Sequence, residues 1–168
     1  FEEVGAALGV DGLFRSRGAL FVDVDGDHRL DLIVAGDCYV AEELCATAQP
    51  RLYRQLADGT FIEDSNAGLA GISIPVGRQR AGIAAGDLDG DGDLDLLLTA
   101  WLGTVALLEN DGTGHFTDIA DDAGVQQDLL GHWQPVFHDF DRDGHQDIFC
   151  AVDFHPNRLW MNDGDKTF

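Results

Sequence analysis

Three short acidic stretches share one spacing. They read DVDGDHRLD from Asp23 to Asp31, DLDGDGDLD from Asp87 to Asp95 and DFDRDGHQD from Asp139 to Asp147, with Asp at positions 1, 3, 5 and 9 of each. A tight loop can turn such alternate carboxylates toward one point, and a hard divalent cation takes about six to eight oxygens at ~2.3–2.6 Å. Calcium fits this donor set. No His or Cys stands at positions 1, 3, 5 or 9, so the softer donors that transition metals select are missing. The spacing predicts up to three Ca²⁺ ions: one on Asp23, Asp25, Asp27 and Asp31, a second on Asp87, Asp89, Asp91 and Asp95, and a third on Asp139, Asp141, Asp143 and Asp147. Position 7 would add a backbone carbonyl from Arg29, Asp93 and His145. An EF-hand, the rival calcium site, needs a Glu at position 12 followed by a helix, whereas position 12 here is Val34, Leu98 and Cys150. A run of acids is most simply a solvated face, and Asp-Gly most simply a turn. Three copies in one register, each between apolar stretches, favour the metal. Without a cation the carboxylates repel by on the order of 1 kcal/mol per pair even in a watery dielectric, so the loops are expected to loosen.

The elements that must hold these loops follow from the flanking residues. Short apolar stretches precede each loop (Ala19 to Val22, Ile83 to Ala85, Val136 to Phe137), and LIVAG, LLLTA and IFCAV follow, which reads as strand, loop, strand. Further on, LYRQLADGTF, LLENDGTGHF and LWMNDGDKTF each bring a strand to a polar turn and a closing Phe, at Phe61, Phe116 and Phe168. Short segments ending in Gly plus an apolar residue (AALGV, NAGLA, DAGVQ) follow Phe1, Phe61 and Phe116, and the successive Phe positions from Phe1 to Phe168 are 60, 55 and 52 residues apart. About four strands in a unit of that length is the signature of propeller blades. The expected fold is all-β: a single β-propeller segment over 1–168, of about three blades of four antiparallel strands, with approximate repeats 1–60, 61–115 and 116–168.

At this point the residues carry a resemblance. D-x-D-x-D-G-x-x-D between two strands, with an N-D-G-x-G-x-F turn downstream, resembles the FG-GAP repeat of integrin α-subunit propellers and the related VCBS repeats. The segment FTDIADDAGV from Phe116 to Val125 is closer to the branch that includes cartilage acidic protein and proteins bearing the ASPIC/UnbV domain. That resemblance implies calcium held within each blade by the loop residues already named from their spacing. Two departures stand out. The first loop has His28 at position 6, where the family has Gly, so that site is expected to be weaker or reshaped. The third has Arg142 at position 4, read as a surface partner to nearby acids. Family propellers close with about seven blades, so three imply either a fragment of a longer propeller or copies joined head to tail, the Phe1 strand of one completing the open blade of the next.

Composition narrows the partners. With 31 acidic against 10 basic residues the formal net charge is −21, which argues against nucleic acid and anionic membranes. No apolar run approaches the roughly 20 residues of a membrane span. The chain opens at Phe1 without Met or an apolar leader, so any signal peptide is expected to have been removed or to lie outside it. The first unit carries a nine-residue insertion containing CYVAEELC, where Cys38 and Cys45 could close a small disulfide or remain two separate thiols. Cys150 reads as a buried strand residue. Such cysteines, and loops suited to millimolar calcium, point to a secreted, extracellular or periplasmic protein.

Catalytic motifs are absent: no G-x-S-x-G, H-E-x-x-H or phosphate loop occurs. His138 beside Asp139 means little among so many acids. GHWQP from Gly131 to Pro135 reads as a connection into an inner strand, with Trp133 either packed between blades or offered on a binding face, and Trp101 and Trp160 read as core or inter-blade packing. Two functions remain: a calcium-stabilised scaffold, in the manner of an adhesion protein, that recognises a protein or glycan; or part of a propeller-based enzyme, for example a polysaccharide-active one. Fold alone does not choose.

Overall fold

The computed structural model describes residues 2–12, 16–36, 49–72, 79–125 and 129–168. Cys38 and Cys45 lie outside the described residues. The first unit is a meander of β1 (Ser16–Val22), β2 (Asp31–Gly36), β3 (Arg51–Gln55) and β4 (Phe61–Glu63), hydrogen-bonded in that order and antiparallel throughout. The second repeats it with β5 (Gln79–Gly86), β6 (Asp95–Trp101), β7 (Ala106–Asn110) and β8 (Phe116–Asp118). A third has β9 (Gly131–His138), β10 (Asp147–Asp153) and β11 (Arg158–Trp160). The second and third meanders are paired strand to strand by a single bridge between Trp101 and Gly131, which joins them formally into one seven-stranded sheet. Apart from one helical turn at Gly5–Leu8 and a 3-10 turn at Leu69–Gly71, the regular structure of the described residues is all β, built of propeller blades, and the sheets do not close into a barrel among them.

The uninterrupted apolar runs after each acidic loop follow from burial on both faces. Leu96 and Leu98 of β6 join Ile33, Leu52 and Phe116 in a core between the first two blades, while Leu97 points the other way into a core with Leu107, Ile148 and Trp160. One register position per blade therefore faces the following blade. In the first two blades it holds Ile33 and Leu97, both fully buried; in the third, Phe149 is only half-buried and its cross-strand neighbours Val136 and Leu159 are 47% and 49% exposed. Cys150, on the opposite face of β10, is buried in the second core as the sequence suggested.

The inner strands converge at glycines. A side chain on Gly82 of β5 would meet the Trp133 carbonyl and Gln134 Cα of β9 at 2.8 Å, so the crossing admits no larger residue. GHWQP is itself part of β9 rather than a connection into it. Gly and Pro read as punctuation locally, but Gly131 pairs with Trp101 and with Asp153, and a register shift between Cys150 and Val152 accommodates the segment. His132 is fully buried, its ring 6.2 Å from that of Trp160, and Trp133 is 42% exposed.

Candidate functional site

Each acidic loop connects the first and second strands of its blade. The loop turns on two residues with left-handed backbone: Gly26 and His28 in the first, Gly90 and Gly92 in the second, Arg142 and Gly144 in the third. The three loops thus share one path although two of the six positions are not glycine. Position 4 demands positive φ as much as position 6 does, so Arg142 is strained at φ 67° and His28 at φ 68°. The side chain of His28 is 95% exposed. His28→Gly and Arg142→Gly are each expected to stabilise the fold by about 1 kcal/mol, the relief of left-handed strain less the added entropy of the unfolded chain. Urea denaturation of the two variants measures it.

Backbone amides inside the loop point at its own carboxylates. Asp23 Oδ2 accepts the His28 amide at 2.9 Å, Asp87 Oδ2 the Gly92 amide at 3.2 Å and Asp139 Oδ2 the Gly144 amide at 3.1 Å. The position-5 residues Asp27, Asp91 and Asp143 accept the position-7 amides of Arg29, Asp93 and His145 at 2.8, 2.9 and 2.9 Å. Carboxylate oxygens of Asp23, Asp25 and Asp27 approach within 4.8 Å of one another, as do those of Asp87, Asp89 and Asp95, and of Asp139, Asp141 and Asp147. Within that distance Asp31 stands apart from the first trio, and Asp91 and Asp143 from the other two.

The position-9 aspartate is the hinge of each site. Asp31, Asp95 and Asp147 are 1%, 3% and 1% exposed at the start of the second strand. Asp95 takes the Asn110 amide on Oδ1 at 2.8 Å and the Leu88 amide on Oδ2 at 2.9 Å; Asp147 takes those of Asn162 and Phe140 at 3.0 and 2.7 Å. One carboxylate therefore fastens the loop to the end of the blade's third strand. Asp31 Oδ1 accepts the Gln55 amide at 2.8 Å, while its Oδ2 is buried without a hydrogen-bond partner. Burial pushes Asp95 up to about 6, against the pull of its two amide donors, and raises Asp31 likewise. Half-buried Asp93 is also raised, by desolvation and then by the charges of Asp91, Asp87 and Asp89. A cation on these oxygens removes both penalties, and an all-oxygen set of several carboxylates suits calcium.

Sequence reasoning missed the groups that tie neighbouring blades together. Asn110 Nδ2 donates to the Val24 carbonyl of the preceding loop at 2.9 Å, and Asn162 Nδ2 to the Leu88 carbonyl at 2.8 Å. The signal was present as the Asn that opens both NDG turns. Also missed were the basic side chains beside the loops: Arg54 Nη1 lies 3.0 Å from Asp25 Oδ2, Lys166 Nζ 2.7 Å from Asp89 Oδ2, and Arg29 pairs with Asp27. Two surface pockets, one lined by Arg51, Glu63, Asp64 and Leu69 and the other by Glu109, Asp122, Asp165 and Lys166, contain neither His nor Trp.

A family model for the FG-GAP-like repeat matches residues 23–98 and 87–150. Both matches begin at the first aspartate of an acidic loop. Among curated proteins, cartilage acidic protein 1 of Homo sapiens is 31% identical over 163 residues, covering 95% of this chain and 24% of that protein. The Mus musculus and Xenopus tropicalis proteins of the same name are 30% and 29% identical, with 95% of this chain and 25% of each relative covered. The chain thus spans about a quarter of the length of the curated relatives it matches.

Proposed function

This chain belongs to the FG-GAP-like repeat family, and from that premise we propose that it is a calcium-stabilised segment of an interaction scaffold, secreted or otherwise extracellular, that recognises a protein or glycan rather than turning over a substrate. The observation that carries the calcium reading is the recurrence in all three loops of three aspartates whose oxygens gather within 4.8 Å, the buried position-9 carboxylate being one of them in the second and third loops and standing next to them in the first. Asp23, Asp25, Asp27 and Asp31 would hold one ion, Asp87, Asp89, Asp91 and Asp95 a second, and Asp139, Asp141, Asp143 and Asp147 a third, with carbonyls from Arg29, Asp93 and His145. The metal would supply charge neutralisation and rigidity at the point where loop and third strand meet. Extracellular calcium at millimolar levels suits such a role, and the match to cartilage acidic protein 1 in three species supports a scaffold. The half-exposed row Val136, Phe149 and Leu159 supports a further blade against the third one, from a longer chain or a second copy.

Thermal unfolding in calcium and in chelator tests the reading. Calcium is expected to raise the melting temperature, Asp95→Ala to remove part of that rise, and Asp93→Ala, which keeps its carbonyl, to retain it. An equal loss in both variants counts against the ligand assignment, and no rise in the unsubstituted protein ends the calcium reading. The effect depends on pH with a definite sign. The folded-state value of Asp95, about 6, lies above its ordinary 3.8, so in chelator its contribution favours folding below about 4 and is lost as pH rises through about 6. Calcium needs the ionised form, so its increment is expected to be larger at pH 7.5 than at pH 5.

A further inference from the structure

The three loops differ in what already neutralises them. Beside the first, the Arg54 guanidinium, 17% exposed, sits 3.0 Å from Asp25 Oδ2 and 3.7 Å from the buried Asp31 Oδ2. It is held there by Asp64 at 3.2 Å and by the Thr113 carbonyl of the next blade at 2.7 Å, and Arg29 pairs with Asp27 of the same loop. Beside the second loop the cation comes from the opposite direction. Lys166, in the turn of the third blade, reaches back to Asp89 at 2.7 Å and to Glu109. These bonds hold the Lys166 ammonium well above its ordinary range. They also keep Asp89 below the usual carboxylate value although burial opposes this.

The repeat alignment shows that these are two solutions for one slot. Arg54, Glu109 and Met161 share a register position just before Gln55, Asn110 and Asn162; Gly59, Gly114 and Lys166 share another, two residues before the closing Phe. A side chain on Gly114 would overlap the Arg54 guanidinium, so the glycine leaves room for the arginine. In the third blade a lysine takes the glycine's place at φ 67° and supplies the charge itself, to a loop whose own blade offers Glu109 instead of a cation. The third loop has neutral Met161 at the first position, and among the described residues no ion pair reaches Asp139, Asp141, Asp143 or Asp147.

We propose that Arg54 and Lys166 are built-in counter-ions that compete with calcium for Asp25 and Asp89, so that the third loop binds calcium most tightly and the first and second bind it more weakly, held together in its absence by their own cations. The inference rests on the calcium reading above. An ammonium or guanidinium about 3 Å from a ligand oxygen must be displaced or endured by an incoming divalent ion, and even at a watery dielectric of about 80 a contact at that distance amounts to roughly tenfold in affinity.

Calorimetric titration of the full chain with calcium chloride tests it. The unsubstituted protein is expected to show sites of unequal affinity. Arg54→Met, which copies the third blade, and Lys166→Gly, which copies the second, should each tighten one weaker site by about tenfold, and Met161→Arg should weaken the tightest. Lys166→Gly also relieves a left-handed backbone, so it keeps the test sound if Arg54→Met fails to fold by circular dichroism. Isotherms of Lys166→Gly and Met161→Arg that superimpose on the unsubstituted one, with calcium still bound, overturn the proposal and leave the calcium reading standing. Absence of binding in every protein is the failure of the calcium reading itself and takes the proposal with it.

Discussion

Gly68→Ala is expected to cost about 3–5 kcal/mol, a large share of the roughly 5–15 kcal/mol that holds a domain folded. Gly68 has φ 76°, and a methyl group there would overlap the carbonyl oxygen of Phe116 and lie 3.1 and 3.2 Å from its carbonyl carbon and amide nitrogen. Those are backbone atoms of the next blade's outermost strand, fixed by the hydrogen bond from the Phe116 amide to the Ala67 carbonyl at 2.9 Å. No side chain can swing aside, so relief requires the blades to part. Parting them opens the core in which Phe116, Ile33 and Leu98 are buried. Gly59→Ala separates this cost from backbone strain alone: its φ is 83°, yet nothing lies within 4 Å of the added carbon, and a loss of only about 1 kcal/mol follows. Urea midpoints of the two variants decide the matter, and equal losses would show that left-handed strain, not the contact between blades, sets the price. The arrangement recurs. Gly9 meets the Phe61 carbonyl in the same way, and the Phe168 amide donates to the Ala123 carbonyl beside Gly124 at 2.9 Å.

These contacts explain how much of the molecule was legible beforehand. Strand, acidic loop and strand could be read from evenly spaced aspartates between short apolar runs because every blade repeats that pattern locally, and the closing Phe marked the blade's edge because the Gly-containing segment of the preceding unit packs on it, burying Phe116 fully and Phe61 and Phe168 in part. The start of β9 was not legible. Gly131 and Pro135 carry turn chemistry, and only the pairing of Gly131 with Trp101 in another blade makes that stretch a strand. Position 4 of the loops was misread for a similar reason, since an arginine at positive φ announces nothing in sequence while the shared loop path imposes it. The counter-ions were hidden because Arg54 and Lys166 occupy different repeat positions and converge on equivalent loops only once the blades are stacked.

Asn110→Ala is expected to cost about 2–4 kcal/mol and, more tellingly, to loosen a loop 86 residues earlier in the chain. Asn110 is 2% exposed and makes four side-chain hydrogen bonds. Its amide nitrogen donates to the carbonyls of Val24 at 2.9 Å and Leu94 at 3.2 Å, and its oxygen accepts the amides of Gly112 and Gly114 at 3.2 and 3.0 Å. Truncation strands these groups in a site too closed to hydrate them, and the penalty for unsatisfied buried groups exceeds the net worth of the bonds lost. Two of the four hold the blade's own turn, one holds its acidic loop, and only the bond to Val24 crosses to the neighbouring blade. Asn110→Asp keeps the acceptor and removes both donations, so it isolates the donor half of the interaction. Hydrogen exchange then reads where the damage falls. If the amide of Asn110 is a tie between blades, amides of residues 24–31 lose protection in both variants along with those of residues 88–95, because in a stacked repeat each unit draws part of its stability from its neighbour. Unchanged protection over residues 24–31 would confine Asn110 to its own blade. Asn162 makes the same reach to Leu88, so the second loop depends on the third blade as the first depends on the second.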